Sequence, residues 1–211
     1  MPLVKTNGKL LYFAHVPKCG GASVDEYLIA RFGKDNFGFL DSRFKSGGSS
    51  WYKSSPQHIT WHDLLQFMPE KIFDHKFAVV RHPMNRVISM YKFNRKKLLG
   101  QDFSTWLRTL VLSSQQDRYY LDNHIRRAVD IIPSNSTIFK LENGLDNITE
   151  WLDQITGAGA RHDLKIGHSN KSPESATIPD IEITDHDVDL VYNLYQKDYE
   201  YFNYTKDDFD V

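Results

Sequence analysis

The chain holds one cysteine, Cys19, in 211 residues. A single thiol excludes an internal disulfide and any cysteine-rich zinc site, and it fits a reducing cytoplasm, where the protein is expected. No run of about 18 apolar residues occurs, so no membrane-spanning helix is expected. The opening "MPLVKTNGKLLYFAHVPK" has too short an apolar core, and the wrong flanks, for a secretory signal. Neither sign of charge is in excess: 26 Lys and Arg stand against 27 Asp and Glu, a net charge of −1. There is then no global field to attract nucleic acid, and any anion site must be local. Internal repeats and low-complexity linkers are missing too, and the length suits one domain over residues 1–211. The triphosphate-loop pattern G-x-x-x-x-G-K-[ST] and the zinc-protease pattern H-E-x-x-H do not occur. His58 and His62 have the i, i+4 spacing of a zinc helix, but Thr60 between them reads as a helix cap, so no metal is expected.

Short apolar runs alternate with helical periodicity. "KLLYFAHV" (9–16) reads as a buried strand and ends at Pro17, Gly20 and Gly21. Val24, Tyr27, Leu28 and Phe32 then recur at helical spacing, closed by Gly33. Residues 41–56 are rich in Ser and Gly and read as a loop, and "TWHD" as a capping box opening a helix that ends before Pro69. "KFAVV" (76–80) is a second buried strand, followed by a helix from Pro83 through Lys97. Further helices are expected over 103–112 and 118–129, a third strand over 136–142, and a helix with Asp146 as cap and Gly157 as stop. A last helix opens at Thr184 and Asp187. This alternation predicts an α/β fold of three layers, P-loop-like, with a central parallel sheet flanked by helices.

Lys18, Cys19, Gly20, Gly21, Ala22 and Ser23 lie between the first strand and its helix. Glycines let the backbone turn so that amide groups converge at the positive end of the helix, where an anion can sit. Lys18 adds a full charge and Ser23 a hydroxyl. An ordinary turn with a solvated lysine would look the same, so this segment alone does not decide. Arg81 breaks the tie, because it ends the second buried strand, and ligands of open α/β sheets bind beyond the carboxyl ends of strands. Its fork suits a phosphate, and Ser89 in the next helix can add a hydroxyl bond. Two anion stations on one rim suit a nucleotide with phosphates at two ribose positions.

At these residues the chain resembles the sulfotransferases that use 3′-phosphoadenosine 5′-phosphosulfate, in the carbohydrate-type group that includes small bacterial members related to Golgi glycan enzymes. "HVPKCGGASV" is similar to their 5′-phosphosulfate loop and "VVRHPMNRVISMY" to their 3′-phosphate segment. The resemblance implies that Lys18 contacts the 5′-phosphate and bridging oxygen, that residues 19–23 supply backbone donors, and that Arg81 and Ser89 hold the 3′-phosphate. One departure is Ala22, where many members carry Thr. "GHSNKSPES" (167–175) resembles a late loop that closes over the nucleotide, with Asn170, Lys171 and Ser172 as its contacts. The product would be adenosine 3′,5′-bisphosphate, the acceptor a hydroxyl, expected on a saccharide, and no metal is implied.

Transfer to an alcohol also needs a base, and histidine suits the task near neutrality. Small bacterial members show a similar "SPQH" before a helix, which favours His58. Glu26 is a carboxylate alternative seen in other branches, and His15 is the third candidate, which could instead support the loop; His62 is expected to face solvent. Asn123 and Arg127, four apart on the expected 118–129 helix, match an Asn-x-x-x-Arg of bacterial members and could bind acceptor or nucleotide, as could a solvated polar face. Lys92, Arg95, Lys96 and Lys97 are read first as favourable charge at a helix C-terminus, with an acidic glycan acceptor as the alternative. Two rival readings stay open: a magnesium-dependent phosphotransferase of the nucleotide-kinase type, and a nucleotide- or glycan-binding module without turnover.

Overall fold

The computed structural model describes residues 2–38, 53–94, 98, 100–157, 163–167 and 181–210. Strands β1 (Leu3–Thr6) and β2 (Lys9–Ala14) form an antiparallel hairpin in which Thr6 faces Lys9. Its two-residue turn, Asn7 and Gly8, has φ 46 and 76. Positive φ at both positions matches the right-handed twist of the flanking strands, and Asn-Gly adopts it cheaply. β3 (Phe37–Gly38) pairs antiparallel with the outer side of β1. β4 (His75–Val80) and β5 (Thr137–Lys140) extend the sheet parallel to β2, giving the order β3-β1-β2-β4-β5. The sheet is therefore mixed: a parallel trio carries the expected α/β plan, and a hairpin the periodicity did not reveal extends one edge.

Parallel neighbours require long crossovers, and helices supply them. α1 (Gly21–Phe32) follows β2, α2 (Trp61–Leu64) is a single turn, and α3 (Pro83–Asn94) follows β4. α4 (Phe103–Gln116), the short α5 (Ala128–Ile131), α6 (Asp146–Thr156) and α7 (Asp185–Tyr201) are the further α-helices among the described residues. One apolar cluster joins Tyr12, Phe13, Phe77 and Val79 of the sheet to Val24 and Leu28 of α1 and Leu152 of α6. A second packs Met84, Val87 and Tyr91 of α3 against Trp106 and Leu107 of α4 and Val191 and Tyr195 of α7. Each such buried side chain contributes roughly 1.5–3 kcal/mol relative to exposure, which holds the crossovers against the sheet. The Thr184–Asp187 capping box forms in full, whereas α6 has Leu145 at its N-cap position and Asp146 inside the first turn.

Residues 118–127 are not helical. Leu121, Asp122 and Asn123 have φ of 49, 58 and 61, three consecutive left-handed residues. Backbone of this kind costs on the order of 1–2 kcal/mol per residue and persists only where its surroundings fix it. Here the Arg86 guanidinium donates to His124 O (3.0 Å) and to Arg126 O, and the Tyr195 hydroxyl donates to Ile125 O at 2.9 Å. Asp198, buried beside Arg86, accepts from the amides of Ala128 (2.7 Å) and Val129 (3.0 Å). Removing that carboxylate strands a buried guanidinium and two amides. Asp198→Ala is expected to lose about 3 kcal/mol of stability, read as a lower urea midpoint; a midpoint equal to wild type would refute this anchoring.

Candidate active site

β2 runs out at Ala14, and the chain turns through His15–Gly20 before α1 begins. Lys18 has φ 66 and Gly20 φ 78, so the loop coils left-handed ahead of the helix. Ser23 and Val24 spend their amides on Gly20 O, at 3.1 and 3.3 Å. Among the described residues no backbone acceptor meets the amides of residues 18–22, which remain available to an anion at the positive end of α1. Gly21 is required sterically, because a Cβ there would lie 1.7 Å from His15 Nε2. His15 is thus a prop beneath the loop: it is buried, stacks on Phe13, and is pushed well below its ordinary pKa by burial and by the charge of His58.

Since β2 and β4 are neighbouring parallel strands, Lys18 and Arg81 emerge on the same rim. Burial, and then the Arg81 charge, lower the Lys18 amine from its ordinary pKa. Among the described residues neither cation makes an ion pair. The nearby Glu142 carboxylate is engaged elsewhere, accepting from His82 N at 2.6 Å and from the Tyr204 hydroxyl at 3.0 Å. Lys18 Nζ instead lies 3.9 Å from the centroid of the Phe93 ring. Phe93 is one helical turn beyond Ser89 on α3, so the Ser89 face is turned toward the loop. Two cations and a set of unspent amides fit a ligand with two anionic groups.

His58 ends a 3-10 turn, Pro56–His58, and is buried. Its Nδ1 lies 3.0 Å from Asp122 Oδ2, while Asp122 Oδ1 accepts from Ser55 N at 2.6 Å. Burial would raise the Asp122 carboxyl, but the His58 and Ser55 hydrogen bonds and the His58 charge hold it far below the usual carboxylate range. An ionised carboxylate only accepts, so Nδ1 carries the proton and the lone pair of neutral His58 is on Nε2. Asn123, with 0% exposure, donates from Nδ2 to His58 O at 2.8 Å and fixes the turn. The ring centroids of His15 and His124 are 5.3 and 4.7 Å from that of His58. Among the described residues no group of three or more His, Cys, Asp or Glu is arranged to hold a metal ion.

Three expected site residues stand differently. Glu26 is exposed, and the buried carboxylate of α1 is its neighbour Asp25, which accepts from Gln57 Nε2 at 3.2 Å and is pushed up to about 7 by burial. Asn123 and Arg127 do not share a helical face, because the chain between them turns left-handed and then pairs Arg127 with Asp130 at 2.9 Å. Asn123 holds the backbone carbonyl of His58, and Arg127 caps the approach to α5. His62 is exposed, as expected. Asn170, Lys171 and Ser172 lie outside the described residues, as do Arg95, Lys96 and Lys97. Asp122, Asp25 and His124 were not singled out by sequence reasoning. Only the Asp-Asn pair, a favoured left-handed dipeptide, hinted at an irregular turn there.

A parallel strand entering a glycine turn and a helix, with a second cation at the end of the adjacent strand, defines a P-loop-like α/β domain whose helix start favours an anion. The model of the sulfotransferase family matches residues 3–205, and the chain belongs to that family, whose members are sulfuryl-transferring enzymes. Neither curated proteins nor solved structures return a match.

Proposed function

We propose that the protein transfers a sulfuryl group from 3′-phosphoadenosine 5′-phosphosulfate to a hydroxyl of a saccharide, with residues 1–211 acting as one catalytic domain. The observation that carries this reading is the juxtaposition of Lys18 and Arg81 at the ends of β2 and β4, close enough that the Arg81 charge adds to burial in lowering the Lys18 amine. The donor, when bound, supplies an activated sulfuryl group on a phosphate leaving group. The amides of residues 19–22, the Ser23 hydroxyl and the Lys18 amine would hold the 5′ side, with Arg81 and Ser89 on the 3′-phosphate; the Ser23 amide is already committed to Gly20 O. Negative charge develops on the departing bridging oxygen, where Lys18 stabilises it without a metal ion. His58 Nε2 takes the acceptor's proton as the new O–S bond forms, and Asp122 stabilises the resulting imidazolium. The buried free thiol of Cys19, pushed up to about 12 by burial, suits a reducing cytoplasm.

Calorimetric titration tests the nucleotide assignment. Adenosine 3′,5′-bisphosphate is expected to bind at least tenfold more tightly than ATP, with or without Mg²⁺, and Arg81→Ala is expected to erase the difference. Tighter binding of magnesium-ATP would establish the kinase-type reading instead. Transfer of radiolabelled sulfate across a panel of sugars, phenols and steroids tests the acceptor class, and incorporation into phenols or steroids alone would overturn the saccharide assignment.

A further inference from the structure

The left-handed turn at residues 121–123 serves two imidazoles at once. Asp122 Oδ2 accepts a hydrogen bond from Nδ1 of His58 at 3.0 Å, and Leu121 O stands 2.7 Å from Nδ1 of His124. A carbonyl oxygen only accepts, so His124 also carries its proton on Nδ1 and its lone pair on Nε2. Two adjoining rings, met edge to face at 4.7 Å, are thereby locked in the same tautomer. They are not equivalent as bases. His58 has a carboxylate behind it to stabilise a positive charge, and His124 has a neutral carbonyl. Burial and the charges of His58 and Lys18 push His124 down to about 3, against the opposing effects of Leu121 O and Asp122. His124 therefore stays neutral beside a base that charges and discharges, and the field of Lys18 reaches it.

The reacting oxygen must lie between the base and the leaving group, and His124 is in ring contact with His58 and within the field of Lys18. We propose that His124 Nε2 accepts a hydrogen bond from a second hydroxyl of the acceptor, next to the one being sulfated, so that the site selects a vicinal diol. This deepens the sulfotransferase reading and rests on it. His58 removes the proton from the reacting hydroxyl, the O–S bond forms, and the sulfur–phosphate oxygen bond breaks toward Lys18. His124 exchanges no proton and sets which carbon presents its oxygen.

The test pairs methyl glycosides with their monodeoxy counterparts lacking the hydroxyl beside the sulfated position. Wild type is expected to favour the diol by about tenfold in kcat/KM, the scale of one hydrogen bond. His124→Ala is expected to remove that preference, and His124→Gln, whose amide oxygen can accept, to restore part of it. A preference that survives intact in a folded His124→Ala variant overturns the proposal. A second readout needs no turnover. ¹⁵N NMR of the protein loaded with adenosine 3′,5′-bisphosphate should show His124 as a neutral Nδ1–H tautomer down to pH 5, with His15, His58, Lys18 and Asp122 as the charged or titratable groups around it. An Nε2–H tautomer, or an imidazolium at neutral pH, also overturns it. Transfer to no glycoside at all, with that tautomer observed, refutes the saccharide reading rather than the geometry of His124.

Discussion

Lys18→Ala is expected to lower kcat about a thousandfold without unfolding the protein, the magnitude associated with losing one group that meets developing charge. The amine lies on the loop, its chain over Phe93 and its charge beside Arg81, and no described core residue depends on it. The bridging oxygen carries more charge in the transition state than in the bound donor. The loss should therefore fall on kcat more than on the donor's KM. Single-turnover sulfate transfer at saturating donor measures it, with a thermal melt to confirm folding. A kcat within tenfold of wild type would remove Lys18 from the leaving-group role. Lys18→Arg is expected to recover a small part only, because a planar fork cannot replace a point charge on a single oxygen.

His58→Ala is expected to cost a comparable factor, about a thousandfold in kcat/KM, within the usual range for a general base. Full activity in that variant would eliminate the assignment and bring Asp25 forward. The pH dependence separates the base from a merely structural histidine. A general base acts only when neutral, so with His58 in that role the rate should fall toward acid. Asp122, held ionised well below its ordinary range, favours the imidazolium in return. Asp122→Asn removes that stabilisation, so the acid limb should move to lower pH while the plateau drops. The same depression makes Asp122 a source of stability above the ordinary aspartate range, lost as pH falls toward its folded value. An acid limb that stays in place in Asp122→Asn would show that the dyad does not tune the base.

The parts readable in advance were those set by local pattern. β2, α1, β4 and α3 each combine an apolar run with punctuation by Pro or Gly, and they appear close to where the spacing puts them. The Asn7-Gly8 hairpin is equally local, since an Asn-Gly pair directly before the apolar run at Lys9 is its signal. The 118–129 segment failed for a different reason. Its spacing does suit a helix, but Arg86 and Tyr195 take three of its carbonyls, and Asp122 is drawn to Ser55 and His58 across more than sixty positions. Such partners have no sequence periodicity, so the carboxylate behind His58 could not be found from spacing. Glu26 against Asp25 is a matter of one position, or about 100° of helix rotation, which only packing decides.

The resting place of Lys18 has a consequence for how quickly the enzyme can be loaded. Phe93 is 66% exposed, and its ring engages the amine through a quadrupole rather than a charge. An exposed contact of that kind holds the side chain by about 1 kcal/mol, while leaving its charge unneutralised. A carboxylate in the same place would act as a tethered competitor, to be displaced on every catalytic cycle. The aromatic perch keeps the lysine ordered yet uncommitted, so an arriving anion meets a partner that is already available.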